Sequence, residues 1–281
     1  MARQSERLLT LFRGALRLLQ RISPAAAAAL AVDLFRTPRR FVAPPRELEL
    51  LADAKPFDLR DSAGARIRAW SWGEGPLVLL VHGWEGRGSQ MAVFARPLVQ
   101  AGFRVVTFDA PGHGQSAGRR SSLPEFTSAL RAVAESTGPP HAIVAHSFGC
   151  AVTTLAVKDG FDAGRLVFVA PPLNPEHYTR LFGEMFGLDE SVVIGLQKRI
   201  EKRFNRKWSD YSLAESAPKM NAELLVIHDR NDVETPWSGG ATLAELWPGA
   251  RMMTTEGLGH RRVLRNAAVI DAVVGFVSNS D

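Results

Sequence analysis

The chain has 281 residues, 46% hydrophobic and 22% charged, which is the composition of a folded globular protein and excludes a disordered, fibrous or disulfide-stapled one. Its one cysteine, Cys150, excludes an internal disulfide and a cysteine-based zinc site. The net charge of +5 is uneven: residues 1–46 carry nine arginines against Glu6 and Asp33, a net +7, whereas residues 47–281 carry 25 Lys and Arg against 27 Asp and Glu, a net −2. The basicity belongs to an N-terminal arm, so nucleic acid is not an expected partner.

In the arm, Leu8, Leu9, Leu11, Phe12, Ala15, Leu16, Leu18, Leu19 and Ile22 fall on one half of a helical wheel, and Arg3, Arg13, Arg17 and Arg21 on the other. The spacing predicts a basic amphipathic helix over 8–22. Ser23-Pro24 reads as an N-cap with proline at the first helical position and opens a second helix to residue 35. Thr37-Pro38 ends it and Pro44-Pro45 begins a linker. No stretch is long and apolar enough for a membrane span. Three readings stay open. The pair packs on the main domain or on a second subunit, it lies on an anionic membrane surface, or it is a mitochondrial presequence. The expected division is an arm over 1–50 and a main domain over 51–281. The expected location is cytoplasmic, with a peripheral membrane contact through the arm.

From residue 55 the pattern changes. Two short strands, 55–60 and 66–72, flank a turn at Asp61–Gly64. Continuous apolar runs follow at 77–81, 104–108, 142–145, 166–170 and 223–227, with a last strand at 251–255. Runs without alternation are strands buried on both faces, the mark of a parallel sheet covered by helices. Helical patterns at 90–101, 123–136, 147–157, 241–246 and 262–277 separate them, so the expected fold is a mostly parallel, doubly wound α/β sheet. Active residues in such sheets sit at the C-terminal ends of the strands.

Five such ends carry signals. After 142–145 comes Ala145-His146-Ser147-Phe148-Gly149, similar to the G-x-S-x-G turn that exposes a nucleophilic serine at a helix N-terminus. A serine that merely caps a buried helix is the bland alternative. After 77–81 comes His82-Gly83-Trp84, after 104–108 comes Asp109-Ala110-Pro111-Gly112-His113-Gly114-Gln115-Ser116, and after 223–227 come Asp229 and Asp232. After 251–255 comes Gly257-Leu258-Gly259-His260. Together these residues, over about 55–278, resemble the α/β-hydrolase family, in which the chain order is serine, acid, histidine.

The resemblance implies a cofactor-free, metal-free serine hydrolase with Ser147 as nucleophile, His260 as base and Asp232 as the acid. Asp229 is the rival for that last role. The backbone N–H groups of Trp84 and Phe148 would bind the oxyanion. The Asp109–Ser116 turn and His82 read as structural. An inserted helical cap is expected over about 173–218. In it Tyr178, Leu181, Phe182, Met185 and Phe186 form one apolar stripe, and Val193, Leu196, Ile200 and Phe204 another. Two basic rows accompany them, Lys198, Lys202 and Arg206, and Arg199, Arg203 and Lys207. A solvated face is the default for these rows, and an anion contact the sharper alternative. The expected substrate is a carboxylic ester with an apolar acyl or alkyl group. Acyl-thioester hydrolysis or acyl transfer on the same residues is the enzymatic alternative, and a non-catalytic binding protein docking through its arm is the alternative of another class.

Overall fold

The computed structural model describes residues 2–279, with side chains from residue 11 onward, so the expectations for Arg3, Leu8 and Leu9 lie outside the described side chains. The chain divides into two compact units, residues 1–37 with 174–211, and residues 38–173 with 212–281.

The larger unit is built on one eight-stranded sheet: β1 (Lys55–Arg60), β2 (Arg66–Trp72), β3 (Leu77–Val81), β4 (Arg104–Phe108), β5 (Pro140–His146), β6 (Arg165–Val169), β7 (Leu224–Asp229) and β8 (Arg251–Thr255). Their order is β1-β2-β4-β3-β5-β6-β7-β8, with the β1–β2 and β2–β4 pairs antiparallel and every other pair parallel. The residues of β3 are all buried, as are Leu224–Ile227 of β7, which is what these uninterrupted apolar runs require. The chain runs from β3 outward to β4 and then returns across β3 to β5. The order therefore reverses beside β3, and in sheets of this kind the carboxyl ends of the strands at such a reversal are where functional residues gather.

Two expected helices are broken. The pattern over 90–101 resolves into Gly88–Met91, a 3-10 turn Ala92–Phe94, and Ala95–Gln100. Pro97 lacks an N–H and cannot continue a helical ladder from the preceding turn. The pattern over 262–277 resolves into Gly259–Arg262, a 3-10 turn Val263–Arg265, and Ala267–Ser278, whose start is fixed by Asn266 accepting from the Val269 N–H.

The linker 38–50 is fastened to this unit rather than free. The Arg40 guanidinium donates to four carbonyls of the Asp109–Ser116 turn and its exit: Gly112 (3.0 Å), Gly114 (3.2 Å), Ser116 (2.8 Å) and Gly118 (2.7 Å). Buried Glu47 accepts from Arg87 Nε (2.7 Å) and Nη2 (2.9 Å) and from Ser89 Oγ (2.8 Å). Buried carboxylates are stable only when paired in this way.

The smaller unit joins the arm to the insertion. Helix Pro24–Phe35 starts at Ser23, whose Oγ accepts from the Ala26 N–H. Its alanine run supplies one buried face, Ala27, Ala28, Ala31 and Val32, packed on Val192, Leu196 and Ile200 of helix Glu190–Phe204. The approach is close: a Cβ on Gly195 would stand 2.9 Å from that of Ala28. Small residues on both helices let the backbones draw together. Helix Ala2–Ile22 is held to the turn after helix His177–Phe186. Its Gln20 amide donates to the Gly187 carbonyl (3.2 Å) and accepts from the Asp189 N–H (3.0 Å). The ring of Phe182 meets Phe35 edge-on at 5.4 Å.

The expected boundary at residue 50 therefore differs from the one the structure makes. Residues 1–37 fold with 174–211, while 38–50 belong with the sheet, and the insertion ends near 211 rather than 218. The reason is that one apolar stripe of the insertion, Val193 excepted, finds its partner in the alanines of the arm, a pairing between segments about 165 residues apart. No helix among the described residues is long and apolar enough to cross a membrane.

Candidate active site

Ser147 stands between β5 and helix Phe148–Lys158 with φ 51° and ψ −121°. A non-glycine residue held in that region is strained and is kept there only by its surroundings. The surroundings are tight. The Ser147 N–H donates to the Val169 carbonyl (2.9 Å) at the end of β6. A Cβ on Gly149 would stand 2.7 Å from the carbonyl oxygens of Val81 and His82, so the helix begins directly against the end of β3. A Cβ on Gly83 would stand 3.0 Å from that of Ser147. Both glycines are needed for close backbone approach. The Ser147 side chain makes no capping bond to the helix, so the bland alternative of a helix cap does not describe it.

The turn after β3 is closed by the Gly86 N–H donating to the Gly83 carbonyl (3.0 Å), with Glu85 left-handed at φ 56°. Arg39 holds Glu85 through both carboxylate oxygens, Nε donating to Oε1 at 3.0 Å and Nη2 to Oε2 at 2.8 Å. Trp84 occupies the second position of this turn, where an N–H takes no part in the closing bond. Phe148 is the first helical residue, whose N–H has no intrahelical acceptor. The Trp84 and Phe148 rings meet edge-on at 5.4 Å, so the two donor-bearing turns are packed against each other by their own side chains. Both follow strands flanking the reversal of strand order.

Asp232 and Asp229 separate clearly. Asp229 is the last residue of β7, and its carboxylate accepts from the N–H groups of Asn231 (3.0 Å), Leu258 (3.0 Å) and Gly259 (2.9 Å) and from Thr255 Oγ1 (2.7 Å). Burial works against its charge, but these four donors outweigh it and hold the carboxyl below its ordinary range. Three of these four contacts, from Thr255, Leu258 and Gly259, fix the segment before His260. Asp232 lies out in the loop. Its Oδ1 accepts from the N–H groups of Glu234 and Thr235, each at 2.9 Å, and its Oδ2 accepts from His260 Nδ1 at 2.7 Å. Burial again opposes the charge, and hydrogen bonds from His228 and His260 hold this carboxyl far below the usual carboxylate range. His260 is buried and sits in the one-turn helix Gly259–Arg262 rather than in an open loop.

Two histidines that the strand-end pattern did not single out complete the surroundings. His146 Nε2 donates to the His260 carbonyl (2.9 Å), so the residue before Ser147 is tied to the His260 backbone. The ring of His228 is wholly buried, with Nε2 donating to the Thr235 carbonyl (3.0 Å) and 3.4 Å from Asp232 Oδ2. A Cβ on Gly240 would stand 2.2 Å from His228 Nδ1, so that ring fits only against glycine. The sequence offered one signal for each: His146 adjoins the serine, and His228 is a polar residue inside an apolar strand.

His82 and Asp109 hold the frame. His82 Nε2 accepts from the Ala110 N–H (3.0 Å) while Nδ1 donates to the Gly83 carbonyl (2.7 Å), which fixes its tautomer. Asp109 accepts from the Gly88 and Gln115 N–H groups, each at 2.7 Å.

Burial pushes the His146 imidazole down to about 3, with repulsion from His260 adding to it, and burial pushes His113 down to about 4. An unfolded histidine takes its proton near pH ~6.5. The folded values lie below that, so the unfolded chain binds more protons as the pH falls, and stability drops from pH ~6.5 down to about 4 for His113 and about 3 for His146. The stability carried by ionised Asp232 is complete above pH ~4 and is lost only below it. Thermal melting is expected to show Tm already falling between pH ~6.5 and ~5, by a total of a few kcal/mol in stability at the acid end. A Tm constant across that interval would contradict the neutral buried histidines.

Residues 78–209 match the family described as the alpha/beta hydrolase family, and residues 206–281 match one described as TAP-like protein. An uncharacterised abhydrolase domain-containing protein of Dictyostelium discoideum is 26% identical over 212 residues, 61% of this chain and 22% of that protein, so the chain spans about a fifth of this relative's length. An esterase of Exiguobacterium antarcticum superposes with a TM-score of 0.65 at 15% identity, over 80% of this chain and 100% of the other. An esterase of Pyrococcus furiosus gives 0.65 at 17%, over 85% and 98%. A bromoperoxidase of Bacillus anthracis gives 0.62 at 18%, over 80% and 100%.

Proposed function

Because the chain belongs to the α/β-hydrolase fold family, we propose that it is a serine hydrolase that cleaves a carboxylic ester through an acyl-enzyme on Ser147. The buried His260–Asp232 pair at 2.7 Å, supplied to the same sheet edge as the strained Ser147, carries this reading. His260 Nε2 takes the proton of the Ser147 hydroxyl as Oγ attacks the ester carbonyl. Asp232 keeps the His260 proton on Nδ1 and stabilises the imidazolium that forms. The N–H groups of Trp84 and Phe148 meet the oxyanion. The tetrahedral centre collapses, the alcohol leaves with the proton from His260, and water repeats the sequence to release the acid. Side chains and water suffice, with no cofactor or metal.

The likeness to proteins described as esterases supports an ester rather than another carbonyl compound. The apolar edge presented by Trp84 and Phe148 supports an apolar group beside the carbonyl. A fluorophosphonate probe tests the reading. The wild-type chain is expected to be labelled and Ser147→Ala to lose all labelling at unchanged Tm. A well-folded wild type that resists the probe would overturn the proposal and favour a binding protein on a hydrolase scaffold. Hydrolysis of acyl thioesters at the expense of matched esters would replace the substrate but keep the residues.

A further inference from the structure

Helix Ala2–Ile22 buries only part of its apolar half. Leu16 is buried and Leu19 is half-buried, but Leu11 is 69% exposed, Leu18 63% and Ile22 74%. With exposed Ala15 they recur at i, i+4, i+7 and i+11, so they form one continuous stripe along the helix. Arg17 and Arg21, both exposed, run along one flank of it. Isolated exposed leucines need no explanation, but an apolar stripe in register beside a row of arginines does.

The charge of the whole unit points the same way. Residues 1–37 and 174–211 hold 13 Lys and Arg against 8 Asp and Glu, whereas the larger unit holds 21 of each. The smaller unit therefore accounts for the whole +5 of the chain. Lys198, Lys202, Arg203 and Lys207 are exposed on it. A packing face for a second protein copy would bring this net positive unit against its own like charge. A surface of anionic lipid headgroups over hydrocarbon meets both features at once.

We propose that the unit formed by residues 1–37 and 174–211 docks on anionic lipid surfaces, with Leu11, Leu18 and Ile22 entering the interface and Arg17 and Arg21 meeting headgroup phosphates. The stripe lies parallel to the surface and does not cross it. The arm thereby brings the chain to a source of apolar substrate, while the docking itself is independent of the chemistry assigned to Ser147.

Flotation of the full chain with vesicles tests this. Binding is expected to vesicles of phosphatidylcholine mixed with phosphatidylglycerol, to be weak or absent with phosphatidylcholine alone, and to fall as salt rises. The triple variant Leu11→Ser, Leu18→Ser, Ile22→Ser is expected to lose at least tenfold in vesicle affinity. Arg17→Glu with Arg21→Glu is expected to lose about 25-fold or more, since each basic residue contributes about fivefold at such a surface. Because these side chains are exposed, Tm and probe labelling stay at wild-type values; should the triple variant melt early, or the arginine pair, whose Arg17 guanidinium lies over Gly187, Leu18→Ser alone and Arg21→Glu alone decide. Absence of vesicle binding by the wild type, or equal binding by the variants, overturns the proposal. So does a wild-type dimer that the triple variant turns into a monomer, with no vesicle binding by either, which would assign the stripe to a second copy.

Discussion

Asp232→Asn is expected to lower kcat by about 10⁴, while Asp229→Asn lowers it by no more than about tenfold and acts mainly on Tm. At Asp232, Oδ1 is fixed by the N–H groups of Glu234 and Thr235, so an amide placed there keeps its oxygen on those donors. Its NH2 then faces His260 Nδ1, which must become an acceptor, and the proton moves to Nε2. The imidazole is left in the wrong tautomer to accept from Ser147 and without a carboxylate to stabilise its charge. At Asp229 all four contacts come from donors, so an NH2 confronts two of them. That costs about 2–4 kcal/mol in stability, and it loosens the segment before His260 without changing its protonation. Steady-state kinetics on a chromogenic ester, with melting curves for both variants, separate the two. A large kcat loss in Asp229→Asn at unchanged Tm, with Asp232→Asn active, would exchange their roles.

Removing residues 1–37 is expected to unfold the insertion rather than merely release the chain from a surface. The truncation uncovers Val192, Leu196 and Ile200, which are buried against Ala27, Ala28, Ala31 and Val32. Each such side chain is stabilised by about 1.5–3 kcal/mol on burial, so the loss is on the order of 5 kcal/mol, as large as the stability of many domains. It also removes the Gln20 amide that ties down Gly187 and Asp189. The truncated chain should bind a hydrophobic dye and be cut by protease within 174–211, while residues 38–50 keep the Arg40 and Glu47 contacts that fasten them to the sheet. A truncated chain as protease-resistant as the full one would show that the insertion folds alone. The contrast with the stripe variants is useful, because those remove surface side chains and leave this packing whole.

Much of the larger unit was legible in the sequence. Uninterrupted apolar runs located the parallel strands because a strand covered on both faces has no solvent side to encode. Glycine, proline and serine located the turns, since Gly83 and Gly149 stand where a Cβ would meet neighbouring atoms within about van der Waals contact. Helix breaks were less legible: Pro97 and Asn266 each interrupt a period that apolar spacing alone carries through. The two carboxylates near β7 could be ranked but not separated by sequence, because both lie within a few residues of its end. Their hydrogen bonds separate them, and the donors at Leu258 and Gly259 come from a different strand end.

By itself the sequence determined the sheet, the family resemblance and the strand ends where the chemistry-bearing residues stand, because periodicity and turn chemistry are local properties of the chain. It also determined that the arm is basic and amphipathic. Only the tertiary structure decided what each side of that arm meets. The alanine run that read as low complexity is a packing face for a helix about 165 residues later, and of the first helix's described apolar residues Leu11, Phe12, Ala15, Leu18 and Ile22 are left exposed. A helical wheel records which residues share a face. It cannot record the partner, because burial is decided by whatever distant segment the fold brings against that face.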